Sequence, residues 1–426
     1  MSHPLQKKIN IILNNEICYY RLWYIRLSAA YSLSKKYKVD LFEKEDHFGG
    51  HSHTIDVNVG DNIVPVDIGF IVFNKKTYPN LINFFQENDI AIEESNMSFS
   101  VSVRDSNIEY CGKGLSGIFS NKSNLLNIKF LKMFFTIISF YKQSENQDPI
   151  NENITLGSYL DNLKLSEYFI KYHIIPMVSA IWSMPPYEAK QMPLKFFFKF
   201  FQNHGLFKLK DRPQWFTVSK RSRTYVDKIL SKISGEYYKN YNINKINRIG
   251  SGVQVYYGDK NEYFTYDKVV LATHADQALS LIENPEEIEN KILSNFKYKT
   301  NEAIVHEDIS YMPNNKSAWC SWNSSIESEN SEKNSITYWL NLLQNLNINK
   351  NIFLTLNPYL EIPEDKIIRK VIFTHPYFDQ NAINSQKDLH LIQNKNNILF
   401  CGSYFGYGFH EDGIKSSIDM IKYINA

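Results

Sequence analysis

Residues 38–42 (KVDLF) run straight into an acid, Glu43, and two adjacent glycines, Gly49 and Gly50, follow six and seven residues later. The residues before them, 28–37, have helical spacing, so helix, short strand, acid and glycine loop stand in the order of the second half of a βαβ unit. An acid ending such a strand can accept hydrogen bonds from both hydroxyls of an adenosine ribose. Glycines just beyond it let backbone amides approach a pyrophosphate with no Cβ in the way. An ordinary turn with a surface acid would look the same locally, so the weight falls on whether distant stretches agree.

Two of them do. The apolar run 269–272 (VVLA) predicts a strand buried on both faces, and Thr273 after it is small enough for the chain to pass close to a flat ligand. Near the other end, 399–414 (LFCGSYFGYGFHEDGI) reads as strand, glycine-rich turn and a helix starting near Gly413, with Asp412 as its N-cap. A helix start there would aim amides at an anionic or electron-rich group.

Composition narrows the class. In 426 residues, 47 Lys and Arg against 45 Asp and Glu leave a charge of +2, which speaks against a basic nucleic-acid binder. The chain is 43% hydrophobic and 15% aromatic, enough for a large core and incompatible with disorder. Cys18, Cys111, Cys320 and Cys401 lack metal or disulfide spacing, so no metal site is expected and a reducing, cytoplasmic setting fits. The longest apolar stretch, 130–141 (FLKMFFTIISFY), is short of the ~20 residues that span a bilayer. It predicts a buried or interfacial helix, with peripheral membrane contact as one expectation, and the N-terminal residues show no secretory signal.

Spacing predicts a helix over 77–89, a strand over 97–103, a mostly helical block over 121–205 with a loop near 144–153, and strands again over 236–275. The Asn/Ser-rich run 323–335 reads as a surface loop. The expected organisation is a discontinuous sheet domain (1–95, 206–285 and 390–426) with a substrate lobe built from insertions (96–205 and 286–389).

Together EKEDHFGGHSHT, VPVDIGFIVFNKKTYPNL, PMVSAIWSMPP, NHGLF, RPQW, VVLATHADQAL and GSYFGYGFHEDG resemble the bacterial NAD/FAD-binding proteins of the amine oxidase and phytoene desaturase flavoprotein superfamily. The resemblance runs from about Ser28 onward. It implies an α/β, Rossmann-like FAD-binding domain of the amine oxidase type with an inserted mixed α+β substrate lobe, and noncovalent FAD. It implies Glu43 at the adenosine ribose, Gly49, Gly50 and His51 along the flavin or its phosphates, and Thr273 closing over the cofactor. Gly402 and Ser403 would meet the pyrophosphate and ribityl chain, and Glu411, Asp412 and Gly413 would sit beside the isoalloxazine ring. Relatives often have Asp where Ser403 stands, and a hydroxyl can still hydrogen-bond there.

Two departures stand out. The superfamily opens with strand then Gly-x-Gly-x-x-Gly, yet no glycine occurs before Gly49 here. Arg21, Trp23 and Arg26 nonetheless keep the i, i+2, i+5 spacing of those glycines. Arg as AGG and Trp as TGG each end in GG, so a one-base shift turns the codons of residues 15–27 into Met-Lys-Phe-Ala-Ile-Ile-Gly-Tyr-Gly-Ile-Ser-Gly under one allowed codon choice. A frameshift rejoining at Leu27 is the favoured reading, with a diverged N-terminal segment as the other. Further on, Lys220 and Arg221 occupy positions where relatives place glycine beside the flavin; a solvent-facing helix start is the expectation for both.

The implied reaction is two-electron oxidation of a substrate C–H, with oxygen or a quinone as acceptor; only one dinucleotide unit is visible. No catalytic residue is singled out. His173, Trp182, His204 and Trp215 are pocket candidates, with core packing the preferred expectation for each. An aromatic, weakly charged lobe suits an apolar or lipid-like small molecule better than a polyamine. The competing possibility is an inactive flavoprotein-like scaffold, or the product of a frameshifted gene that has lost FAD binding.

Overall fold

The computed structural model describes residues 16–20, 24–147, 154–259 and 262–424. Five parallel strands make the first sheet: β1 (Glu16–Tyr20), β2 (Lys38–Phe42), β3 (Tyr237–Tyr238), β4 (Lys268–Leu271) and β5 (Ile398–Phe400), in the spatial order 3-2-1-4-5. β1 lies between β2 and β4, pairing Cys18 with Asp40 on one side and Val269 on the other. Helix α1 (Tyr24–Ser34) carries the chain from β1 to β2, which completes the βαβ unit anticipated from 28–43. Arg21 and Trp23 lie outside the described residues, as does the side chain of Arg26. The strand and helix described here therefore frame the missing glycine motif without touching the frameshift reading.

Side-chain alternation across these strands builds three layers. Ile17, Val270 and Leu399 point to one face, where they pack with Leu27, Ala30 and Ile414 of α1 and of the helix His410–Ile421. Cys18, Val269, Leu271 and Phe400 point to the other face, against Val253 and Val255 of the antiparallel meander Ile243–Ile249, Gly252–Tyr257 and Glu262–Tyr266. Burial on both faces explains why 269–272 is an unbroken apolar run.

A second sheet of seven strands has the order Ile367–Tyr377, Lys297–His306, Phe353–Leu356, Asn334–Trp339, Trp322–Ile326, Phe99–Val103 and Glu109–Cys111. Helices between 128 and 203 pack near it. One of them, Leu194–Asn203, buries five of its phenylalanines, among them Phe197, Phe200 and Phe201, and forms the aromatic heart of the lobe.

Strands Trp322–Ile326 and Asn334–Trp339 correct the loop expected over 323–335: only the connection between them is a turn. Polar composition misled because these polar groups pair inside the sheet. Asn323 accepts from Ser100 Oγ (2.7 Å) and the Cys320 amide (2.9 Å) and donates to the Thr337 carbonyl (3.1 Å). Buried polar groups satisfied this way cost little, so Asn and Ser can occupy a central strand.

Candidate functional site

The loop after β2 is shaped by its glycines. Gly49 and Gly50 both adopt positive φ (116° and 54°), conformations that L-residues rarely take. The turn they make is held from the far side by Gly69. The Phe70 amide donates to the His51 carbonyl at 2.6 Å, and a Cβ on Gly69 would lie 2.1 Å from that same oxygen. Ser52, next in the loop, receives the hydroxyl of buried Tyr225 at 2.5 Å. Glu43, almost wholly buried at the end of β2, accepts the Glu45 amide at 3.0 Å, which fixes its carboxylate at the mouth of the loop.

Glu43, Phe48, Gly50 and His51 line a groove together with His274, Gln277 and strand residues 369–374. Beyond His51 and Phe373, which border both spaces, lies a second cavity of about 220 Å³. Its lining is aromatic and aliphatic: Phe70, Tyr78, Trp182, Trp215, Trp322 and Tyr407 among others. Among the described residues no Asp, Glu, Lys or Arg lines it. The polar members are chiefly histidines, and burial pushes His204 and His375 down to about 4, His410 to about 3 and His51 well below the ordinary imidazole range. The cavity is thus uncharged near neutral pH.

The closing segment meets this cavity at its helix start. The helix begins at His410, three residues before the Gly413 start expected from the sequence, so Glu411, Asp412 and Gly413 form its first turn. Asp412 is accordingly not the N-cap. It sits at the third helical position and accepts the amide of Phe409, the residue before the helix, at 2.9 Å, closing the turn from inside. Burial pushes its carboxyl up to about 7, against the backbone hydrogen bonds that favour its charged form. Glu411 is engaged elsewhere: it accepts the Asn80 and Leu81 amides (3.0 and 3.1 Å) and the Asn80 side chain (2.6 Å) at the start of the helix Pro79–Glu87.

Ser416 joins two of the glycine positions, accepting the Gly402 amide at 2.9 Å and donating to the Gly413 carbonyl at 2.7 Å. Thr273 lies beside Gly402, its hydroxyl turned to the His274 carbonyl at 2.8 Å. Of the anticipated residues, Glu43, Gly50 and His51 line the groove, and His51 also lines the cavity. Gly49, Thr273, Gly402, Ser403, Glu411 and Gly413 line neither space, and Asp412 borders a separate hollow with Lys195 and Lys415.

Three of the four pocket candidates, Trp182, His204 and Trp215, line the cavity, and His173 does not. Its two ring nitrogens are bridged by Tyr110 (2.9 Å) and Tyr141 (2.8 Å) inside the helical lobe, a satisfied core histidine. Sequence reasoning missed His410 and its partner Phe70. Arg221 also departs from the solvent-facing expectation: it is buried, with its guanidinium on the Pro65 and Gln344 carbonyls and Glu93. Lys220 is exposed as expected. Among the described residues no cluster of three or more metal-ligating side chains occurs.

Residues 27–87 match the family described as NAD(P)-binding Rossmann-like domain. No curated protein sequence matches the chain. Solved structures superpose over nearly its whole length at low identity. The CLA-producing fatty acid isomerase from P. acnes is 11% identical, with a TM-score of 0.66 over 98% of this chain and 100% of that one. Putrescine oxidase bound to putrescine is 11% identical, with a TM-score of 0.66 over 97% and 99%. Cyclohexylamine oxidase from Brevibacterium oxydans IH-35A is 12% identical, with a TM-score of 0.65 over 97% and 100%. The chain therefore has the amine oxidase fold, with a match to a Rossmann-like domain over residues 27–87.

Proposed function

We propose that this protein is an FAD-dependent oxidoreductase acting on an apolar, lipid-like small molecule. The observation that carries this is that His51 and Phe373 line both a groove headed by a buried carboxylate and an aromatic cavity with no charged side chain among the described residues. The groove fits FAD: Glu43 would accept the ribose hydroxyls, and the positive-φ turn at Gly49 and Gly50 would bring amides to the phosphates. Thr273, Gly402, Ser403 and Gly413 line neither space, so none is assigned a contact with FAD. When bound, FAD supplies the two-electron oxidation.

The protein's own share is orientation and exclusion of water. Phe70, Trp182, Phe373 and Phe409 line a space in which a hydrocarbon segment gains from leaving water. A protonated amine would lose its hydration there and find no carboxylate in the lining. Among proteins sharing the fold, the fatty acid isomerase is by its name the better guide to the substrate than putrescine oxidase.

Purified protein tests this. A yellow preparation that releases FAD on denaturation, identified by mass spectrometry, supports it, and Glu43→Ala should then weaken FAD binding by at least tenfold. A colourless protein that FAD does not reconstitute favours an inactive scaffold or a frameshifted product, for which the glycine-free stretch before Phe48 is the motive.

A further inference from the structure

The apolar stretch 130–141 lies within the helix Ile128–Ser144, which is only half accounted for by the core. Phe130, Met133, Ile137, Phe140 and Tyr141 are buried along one face, at the spacing of a 3.6-residue repeat. Ile128 and Phe135, two turns apart, are 81% and 65% exposed. Before them Leu125 and Leu126 are 51% and 89% exposed, and Leu115 is 67% exposed. Single exposed apolar residues need no explanation, but five large ones within 21 positions of chain form a concentration of the kind that marks an interaction surface.

Charge specifies the partner. Lys113, Lys122, Lys129, Lys132 and Lys142 are all exposed in this segment, and from Tyr110 to Ser144 there is no Asp or Glu. Lys113 is held by the Trp319 carbonyl at 2.7 Å, and Lys129 lies over the Tyr168 ring, 5.6 Å from its centroid. Glu167 and Glu329 act on that tyrosine, so acidic neighbours approach the helix at the Tyr168 position. Large apolar side chains interspersed with lysines match an interfacial amphipathic surface.

We propose that this face docks on an anionic lipid bilayer, with Leu125, Leu126, Ile128 and Phe135 entering the interface and Lys122, Lys129 and Lys132 meeting the headgroups. It lies on the surface and does not span: among the described residues no helix is long and apolar enough to cross a membrane. A second copy of the chain is the poorer occupant, because a two-fold contact would set lysines against lysines.

Flotation with vesicles of phosphatidylcholine and phosphatidylglycerol, beside vesicles of phosphatidylcholine alone, tests the surface. The protein should float with the mixed vesicles only, and less at high salt. Each lysine near an anionic surface strengthens binding about fivefold, so replacing Lys122, Lys129 and Lys132 by Gln together should weaken partitioning on the order of a hundredfold. Leu126→Ser, Ile128→Ser and Phe135→Ser combined should abolish flotation while leaving thermal unfolding in place, since these side chains are already exposed. Failure to float with mixed vesicles overturns the proposal, and so does flotation that both variants retain. A concentration-dependent dimer that the serine variant dissolves, without vesicle binding, would overturn it in favour of self-association.

Discussion

His410 lies face to face with Phe70, ring centroids 3.7 Å apart and planes 15° from parallel. The pair sets the start of the last helix against the strand-to-loop segment that carries Gly69, and both residues line the cavity. Stacking of this kind fixes the position of the helix start without adding a charge. The same junction is pinned a second time by Glu411, and that contact can be tested separately.

Glu411 is the N-terminal anchor of the helix Pro79–Glu87, receiving two of its first amides and the Asn80 side chain. Glu411→Ala leaves those donors without their anion, a loss of roughly 2–4 kcal/mol. Urea unfolding should show the lower midpoint. A stability equal to the parent would mean that the contact is replaced by water at no cost.

Lys220 and Arg221 adopt φ of 62° and 78°, so the backbone keeps a glycine-like conformation with side chains that resist it. Lys220 is exposed and has little packing to lose, so Lys220→Gly should raise stability by about 1 kcal/mol. Arg221→Gly should lower it, because the Pro65 and Gln344 carbonyls and Glu93 lose their donor. Opposite shifts in denaturation midpoint at adjacent residues are the signature; two shifts of the same sign would contradict it.

The Rossmann-like part of the fold is legible because its signals are local. An acid ending a strand, glycines at fixed offsets and an unbroken apolar run each follow from the backbone geometry of one short segment. What stayed hidden depends on pairing across the chain. Asn323 and Ser324 look like loop residues until Ser100, Thr337 and Asn334 supply their partners. The helix starts at His410 and not near Gly413 because Asp412 closes the first turn from inside, at its third position. His173 and His204 are indistinguishable by residue type. Only the fold shows that one is bridged by two tyrosines and the other stacks on Phe200, 3.9 Å between centroids, at the cavity wall.

Cys111 and Cys320, distant in sequence, share a hydrogen bond between buried thiols. The Cys320 thiol donates, which pulls Cys111 below the ordinary thiol range with help from Lys113, while Cys320 is driven up. Two thiols held side by side, one of them acidified, have the arrangement from which a disulfide forms once an oxidant reaches them. Hydrogen peroxide should first convert Cys111 to a sulfenic acid with loss of water, and Cys320 should then displace a second water to form the disulfide. A peptide map without reductant should link the segments holding these two residues, and leave Cys18 and Cys401 as thiols. A map showing mixed pairings or none would remove the assignment.

Acid should destabilise this protein well above the ordinary carboxylate range, and the sign follows from two opposed groups. Burial lowers His53, His204, His306 and His375 to about 4, His173 and His410 to about 3, and His51 well below its ordinary value. The unfolded chain binds protons at these seven sites from about pH 6.5 downward and the folded chain does not, so their contribution, complete above that pH, is lost as it falls. Asp67, Asp412 and Glu289 work the other way. Burial raises Asp67 to about 6 and Asp412 to about 7 and lifts Glu289 as well, so the fold takes up their protons first and gains stability as pH drops toward about 4. Seven sites outweigh three, and the net slope between about pH 6.5 and 4 is a loss. Urea midpoints measured across that interval should decline steadily on acidification, and His410→Gln should make the decline shallower. A flat or rising profile would mean that the histidines are protonated in the folded protein and that the cavity lined by His51, His204, His375 and His410 carries charge.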